Sequence, residues 1–168
     1  MPNDVLGRVI DSALRRVGGP EWSAEELAFT AKLQPTLQLK NPPALSTAKE
    51  IRRYQFNSQK YSSTDSGDVS WVTPLATLGV ATWVPGTSAH SWQATAAGGT
   101  TIGVKGMIVA AKTLSLVVAQ LYSNPEQIAA AKADFDKSRG AGFVYKTLIG
   151  DRPPPLDYRN NSSGADAG

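Results

Sequence analysis

The sequence predicts a helix-rich α/β fold, and three observations carry that prediction. Several stretches repeat apolar residues at helical spacing or carry helix start signals. Between them, Leu75 to Trp83 is a nine-residue apolar run containing Thr77, Val80 and Thr82, and its length and β-branched content read as one buried strand. A chain of 168 residues has the length of one domain and can bury a real core.

Met1 to Val17 is an amphipathic helix: Asn3 or Asp4 caps it, and Val5, Leu6, Val9, Ile10, Ala13, Leu14 and Val17 form one apolar stripe. Gly18-Gly19-Pro20 ends it. Ser23 caps the second helix, with Glu26 three residues later completing a capping box and Trp22 and Leu27 placed as a hydrophobic staple; the pattern fades at Pro35. Asn41-Pro42-Pro43 breaks the chain, and Ser46 to Gln55 reads as a short helix whose charged group KEIRRY is a solvated face. Ser62 to Asp68 is dense in side chains that bond neighbouring backbone, so it is a loop or a helix-initiating turn. Pro85-Gly86 closes the strand and puts His90 in a loop beyond its carboxyl end, where open α/β sheets place ligands. After Gly98-Gly99 a helix from Thr101 to Tyr122 is apolar on several faces and is expected to be largely buried. Ser123-Asn124-Pro125-Glu126 restarts a helix that runs to about Arg139 and stops at Gly140. The remainder, with Pro153 to Pro155 and NNSSGADAG, reads as a flexible tail over 151–168.

Composition excludes several function classes. The 17 Lys and Arg against 14 Asp and Glu are scattered rather than gathered on a stripe with aromatics, which argues against nucleic acid. Zero cysteines exclude disulfides and thiolate metal sites and fit a cytoplasmic protein. The first ten residues carry Asn3, Asp4 and Arg8 and do not read as a signal peptide. Lys105, Lys112 and Gln120 interrupt the longest apolar region, which reads as a core helix rather than a membrane span.

The stretch that holds the chemistry-bearing residues is Ser62 to Gln93, with Asp65, Asp68 and the chain's single histidine, His90. An imidazole with two carboxylates suits zinc or manganese. A Ser-His-Asp arrangement through Ser88 or Ser91 competes, but there is no GxSxG elbow. No GxxxxGK[ST] phosphate loop is present. The plain structural alternative makes His90 a capped loop residue.

At STDSGDVSW, the run ending in TW, PGTSAHSWQ and IGVKGMIVAAKTL, the chain resembles the C-terminal part of zinc-dependent amidohydrolases. The family is that of aminoacylase and carboxypeptidase-like metallopeptidases, and the branch is that of the aminobenzoyl-glutamate hydrolase B-type subunit. LGRVIDSALRRVGGPEWSAEELAFTAKLQ is similar to the segment in which that branch returns from its lid domain, so the resemblance covers about residues 3–150. It implies the C-terminal portion of a three-layer α/β/α catalytic domain, a mixed sheet flanked by helices, with a dimerising lid elsewhere. It implies hydrolysis of the amide bond in an N-acyl or aminobenzoyl amino acid, with two divalent metal ions, zinc or manganese, and a glutamate as general base. The family's last metal ligand falls on His90, and its acidic loop falls on Ser63, Thr64 and Asp65. Asp65 and Asp68 take a site-shaping role.

The departure from the family is large. This chain has no second histidine and no cysteine to supply the remaining ligands, so the resemblance implies an incomplete site that is inactive alone. A missing N-terminal half or a homo-oligomer is the implied partner. The competing class is a non-catalytic α/β module whose apolar helices bind a partner.

Overall fold

In the computed structural model, which describes residues 1–57 and 64–156, six α-helices carry the fold and no strand is present among the described residues. The helices are α1 (Asp4–Val17), α2 (Ala24–Leu33), α3 (Ser66–Val69), α4 (Trp92–Gly98), α5 (Thr101–Ser123) and α6 (Pro125–Arg139). Short 3₁₀ turns at Gln34–Thr36 and Leu45–Lys49 lie between α2 and α3.

The helix starts follow their sequence signals. The Leu6 amide donates to Asn3 Oδ1 at 3.0 Å, which makes Asn3 the cap of α1. Asn3 also donates through Nδ2 to the Ala131 carbonyl at 2.8 Å, fastening the start of α1 to α6. Both halves of the capping box form at α2, between Ser23 and Glu26. Leu27 stays about half exposed, so it adds little as a staple. Pro125 opens α6, as its fixed φ and missing N–H allow in a first turn.

The core has two centres. Ile10, Ala13 and Val117 join α1 to α5, with Val9, Ala76, Leu78, Leu116 and Leu121 packed around them. Leu33, Leu45, Val84, Ala97 and Ile102 form the second, covered by Trp22 and Phe29. Between the centres, α5 approaches the Ala81 backbone so closely that a Cβ on Gly106 would lie 2.2 Å from the Ala81 carbonyl oxygen.

Three expectations are corrected. The α/β assignment, with its partial three-layer α/β/α sheet, does not hold: the described residues are helix and irregular chain. Leu75 to Trp83 forms no strand because a strand exists only through ladder bonds to a neighbour. Among the described residues no backbone group of this run bonds another backbone group. Its apolar, β-branched content reports burial against helices, a signal it shares with a buried strand. The short helix expected from Ser46 to Gln55 is a 3₁₀ turn over Leu45–Lys49, followed by irregular chain.

The third correction concerns α5. Its buried residues are Ile102, Gly103, Gly106, Thr113 and Val117 on one face, while Val104, Met107, Ile108, Leu114, Val118 and Tyr122 are exposed on the other. By length and composition alone α5 could cross a membrane. It carries Lys105 and Lys112 and gives its buried face to α1. Ser62 and Ser63 of the expected loop, and the NNSSGADAG run, lie outside the described residues.

Candidate functional site

The loop that carries His90 is anchored at both ends. Val84, 1% exposed, fixes its start in the core. A turn follows in which the Thr87 amide donates to the Val84 carbonyl at 3.1 Å. Gly86 sits in this turn at φ 92°, a conformation open to glycine, facing Leu39 and Pro42. At the other end Ser91 caps α4: the Ala94 amide donates to Ser91 Oγ at 3.2 Å, and Ser91 Oγ donates to the Ser88 carbonyl at 2.7 Å. Gln93 adds a tether by donating through Nε2 to the Thr36 carbonyl at 2.9 Å.

His90 is exposed, on the residue just before that cap. Its φ of 58° places it in the left-handed region, where histidine is enriched among non-glycine residues but still carries strain. The loop therefore holds one imidazole at the surface in a fixed, mildly strained backbone.

Asp65 and Asp68 lie at α3, which borders a different feature. Thr64, Ser66, Gly67 and Ser70 from this turn help line a groove of about 900 Å³ between α1 and the irregular segments. Asp65 is exposed and its side chain caps nothing. Asp68 accepts a 2.6 Å hydrogen bond from the Tyr145 hydroxyl, and that carboxylate holds the Tyr145 phenol above its ordinary range. Phe143 stacks on Trp71 with ring centroids 4.8 Å apart, so two aromatic side chains pin the stretch after Gly140 onto α3. This anchoring was not read from the sequence; the aromatics among 143–145, just after a helix-ending glycine, were the available signal.

The sequence grouped His90 with Asp65 and Asp68, and no hydrogen bond or ion pair joins them among the described residues. The resemblance implies a divalent metal, and the donor set is the test. Among the described residues no three His, Cys, Asp or Glu side chains come together, and the chain offers one imidazole and no thiol. These residues do not by themselves fit a metal centre.

Among the described residues the buried carboxylate is elsewhere. Glu26, 3% exposed, accepts from Lys105 Nζ at 2.7 Å, from the Thr101 hydroxyl at 2.6 Å and from the Ser23 amide at 2.6 Å. Burial pushes this carboxyl up, but the three hydrogen bonds outweigh it and hold it below the ordinary carboxylate range. Both carboxylate oxygens accept from scaffold, so Glu26 is a tie between α2 and α5 rather than a free acid or base.

Compared with known proteins, the chain is 34% identical over 145 aligned residues to the B-type subunit of p-aminobenzoyl-glutamate hydrolase from Escherichia coli strain K12. The match takes in 73% of this chain and 30% of that protein, so the chain spans less than a third of its relative's length. The likeness to the aminobenzoyl-glutamate hydrolase branch read from the sequence blocks is thus borne out. No family model matches the chain, and no solved structure does.

Proposed function

From this likeness to p-aminobenzoyl-glutamate hydrolase, we propose that the chain is one segment of an amidohydrolase that cleaves the amide bond of an N-acyl or aminobenzoyl amino acid. The single observation that carries the reading is the extent of the match: it takes in most of this chain but under a third of the relative. An activity of that kind needs apparatus from outside these residues.

In this reading the chain contributes a positioned imidazole. His90 is exposed, its loop is anchored at Val84 and Ser91, and its backbone is held in a conformation that has to be stabilised by its surroundings. Zinc or manganese, if the complete enzyme uses either, takes most of its ligands from elsewhere, since a lone imidazole binds such ions weakly. Asp68, fixed by Tyr145, and Asp65 stand beside Thr64, Ser66 and Gly67 of the neighbouring groove, and among the described residues they make no contact that gives them an acid–base role. Water is the co-substrate: the amide C–N bond breaks, and a carboxylate and an amine leave.

The experiment mixes the purified chain with a separately produced polypeptide that covers the part of the relative outside the match, with zinc or manganese supplied. Release of p-aminobenzoate from p-aminobenzoyl-glutamate by the mixture, lost with His90→Ala, is the expected result. A mixture in which His90→Ala turns over as fast as the unsubstituted chain removes His90 from the site.

A further inference from the structure

The outer face of α5 carries a stripe that the described residues leave uncovered. Val104, Met107, Ala111, Leu114 and Val118 follow one another at alternating steps of three and four residues, with Ile108 beside them, and all six are exposed. That spacing is the seam of a helix that packs along a second helix. No Asp or Glu occurs in α5, and its two lysines leave the stripe apolar. Lys105 is tied to Glu26, and Lys112 stands at the edge, where its stem lets the ammonium stay in water.

The stripe is also close to symmetric about Ala111. Valines stand seven residues to either side, Val104 and Val118, and branched aliphatics three residues to either side, Ile108 and Leu114. A two-fold axis at Ala111 sets each Val104 against the other copy's Val118 and each Ile108 against a Leu114, and the small alanine lets the helices approach. With Tyr122, 86% exposed, at its end, the stripe exposes roughly 600 Å² of side chain, the top of the range for a monomer's largest apolar patch. Two such stripes bury about 1,200 Å² against each other, the lower edge of a specific interface.

We infer that two copies of this chain pair through α5, antiparallel and isologous about Ala111. The self-complementary stripe and the area it covers argue for a second copy as the occupant. An interface of this size belongs to the class that dissociates on dilution. A lipid surface is the competing occupant. An interfacial helix has its apolar face flanked by several Lys or Arg, and of the residues of α5 only Lys112 borders the stripe.

The chain has no cysteine, so one introduced by substitution reports on a single position. Under mild oxidation Ala111→Cys is expected to cross-link into a covalent dimer. Val104→Cys is not, because the two copies of position 104 lie about 21 Å apart along an antiparallel pair. Sedimentation equilibrium of the full unsubstituted chain from about 1 µM to 1 mM is expected to pass from monomer to dimer. Val118→Glu puts a carboxylate into the seam and is expected to weaken association at least about tenfold. Circular dichroism at the lowest concentration, unchanged in Val118→Glu, separates a lost contact from a lost fold. A monomer across the whole range, a dimer indifferent to Val118→Glu, or cross-linking of Val104→Cys as ready as that of Ala111→Cys each overturns the proposal. So does binding to phosphatidylcholine–phosphatidylglycerol vesicles that Val118→Glu abolishes while the chain in solution stays monomeric.

Discussion

At the scale of single residues, the most consequential side chain is Glu26, which joins a capping box at the start of α2 to Lys105 and Thr101 on α5. Its carboxyl is held low in the folded chain, so its contribution is fully present above the ordinary glutamate value and is lost as pH falls through the lower, folded one. In urea titrations Glu26→Ala is expected to cost about 1–3 kcal/mol near neutral pH, since it leaves buried donors unpaired. The gap between the unsubstituted chain and Glu26→Gln is expected to narrow below about pH 4.3, where the carboxylate of the unfolded chain takes up its proton. A gap that stays constant from neutral pH to pH 3 would show that the charge contributes nothing. The capping box was fully legible in the sequence because it is a local code: Ser23 and Glu26 lie three residues apart. Its second use, as a partner for Lys105 and Thr101, was not, because nothing local links positions 26 and 105.

At the scale of elements, the two sides of α5 make opposite demands. Gly106 lies against Ala81, with no room for a Cβ, and Gly106→Ala is expected to cost roughly 1–3 kcal/mol through a shift of the helix off that backbone. Met107, one residue on and 60% exposed, tolerates Met107→Gln within about 0.5 kcal/mol. Equal losses at both positions, measured by urea unfolding, would mean that the outer face is also packed in the isolated chain. The helix boundaries were readable from Asn3, Ser23, Pro125 and the glycines at 18 and 140. The buried side of α5 was not, because apolar residues occur on all its faces and periodicity alone cannot choose between them. Leu75 to Trp83 misled for a related reason: a run read as a strand requires a neighbour, and no stretch among the described residues provides one. The fourth helix, Trp92–Gly98, went unread because it is short and built largely of small residues with only Ser91 to announce it.

At the scale of the whole molecule, the chain leaves much unpaired. Val104, Met107, Ile108, Leu114 and Val118 line the outer face of α5, and among the described residues the backbone of Leu75 to Ala81 beside the groove forms no backbone–backbone hydrogen bond. Apolar surface and unpaired main chain together favour association, so size-exclusion chromatography at rising concentration is expected to show oligomers of the isolated chain. A monomer across that whole range would argue that these surfaces need no cover. The candidate site was legible in the sequence only as residue types. The sequence singled out His90 and the Asp65–Asp68 pair, and the structure puts His90 in a loop before α4 and the two aspartates at α3. What would bring them into one site lies in contacts that these residues do not make with each other. In the proposed reading the chemistry is shared between this chain and polypeptide outside it. The most direct measurement is p-aminobenzoyl-glutamate hydrolysis while the remainder of the relative is titrated into a fixed amount of the chain with zinc or manganese present. No turnover from either component alone and a rise that saturates at equimolar ratio are expected. Turnover by the chain alone, abolished by His90→Ala, would contradict it.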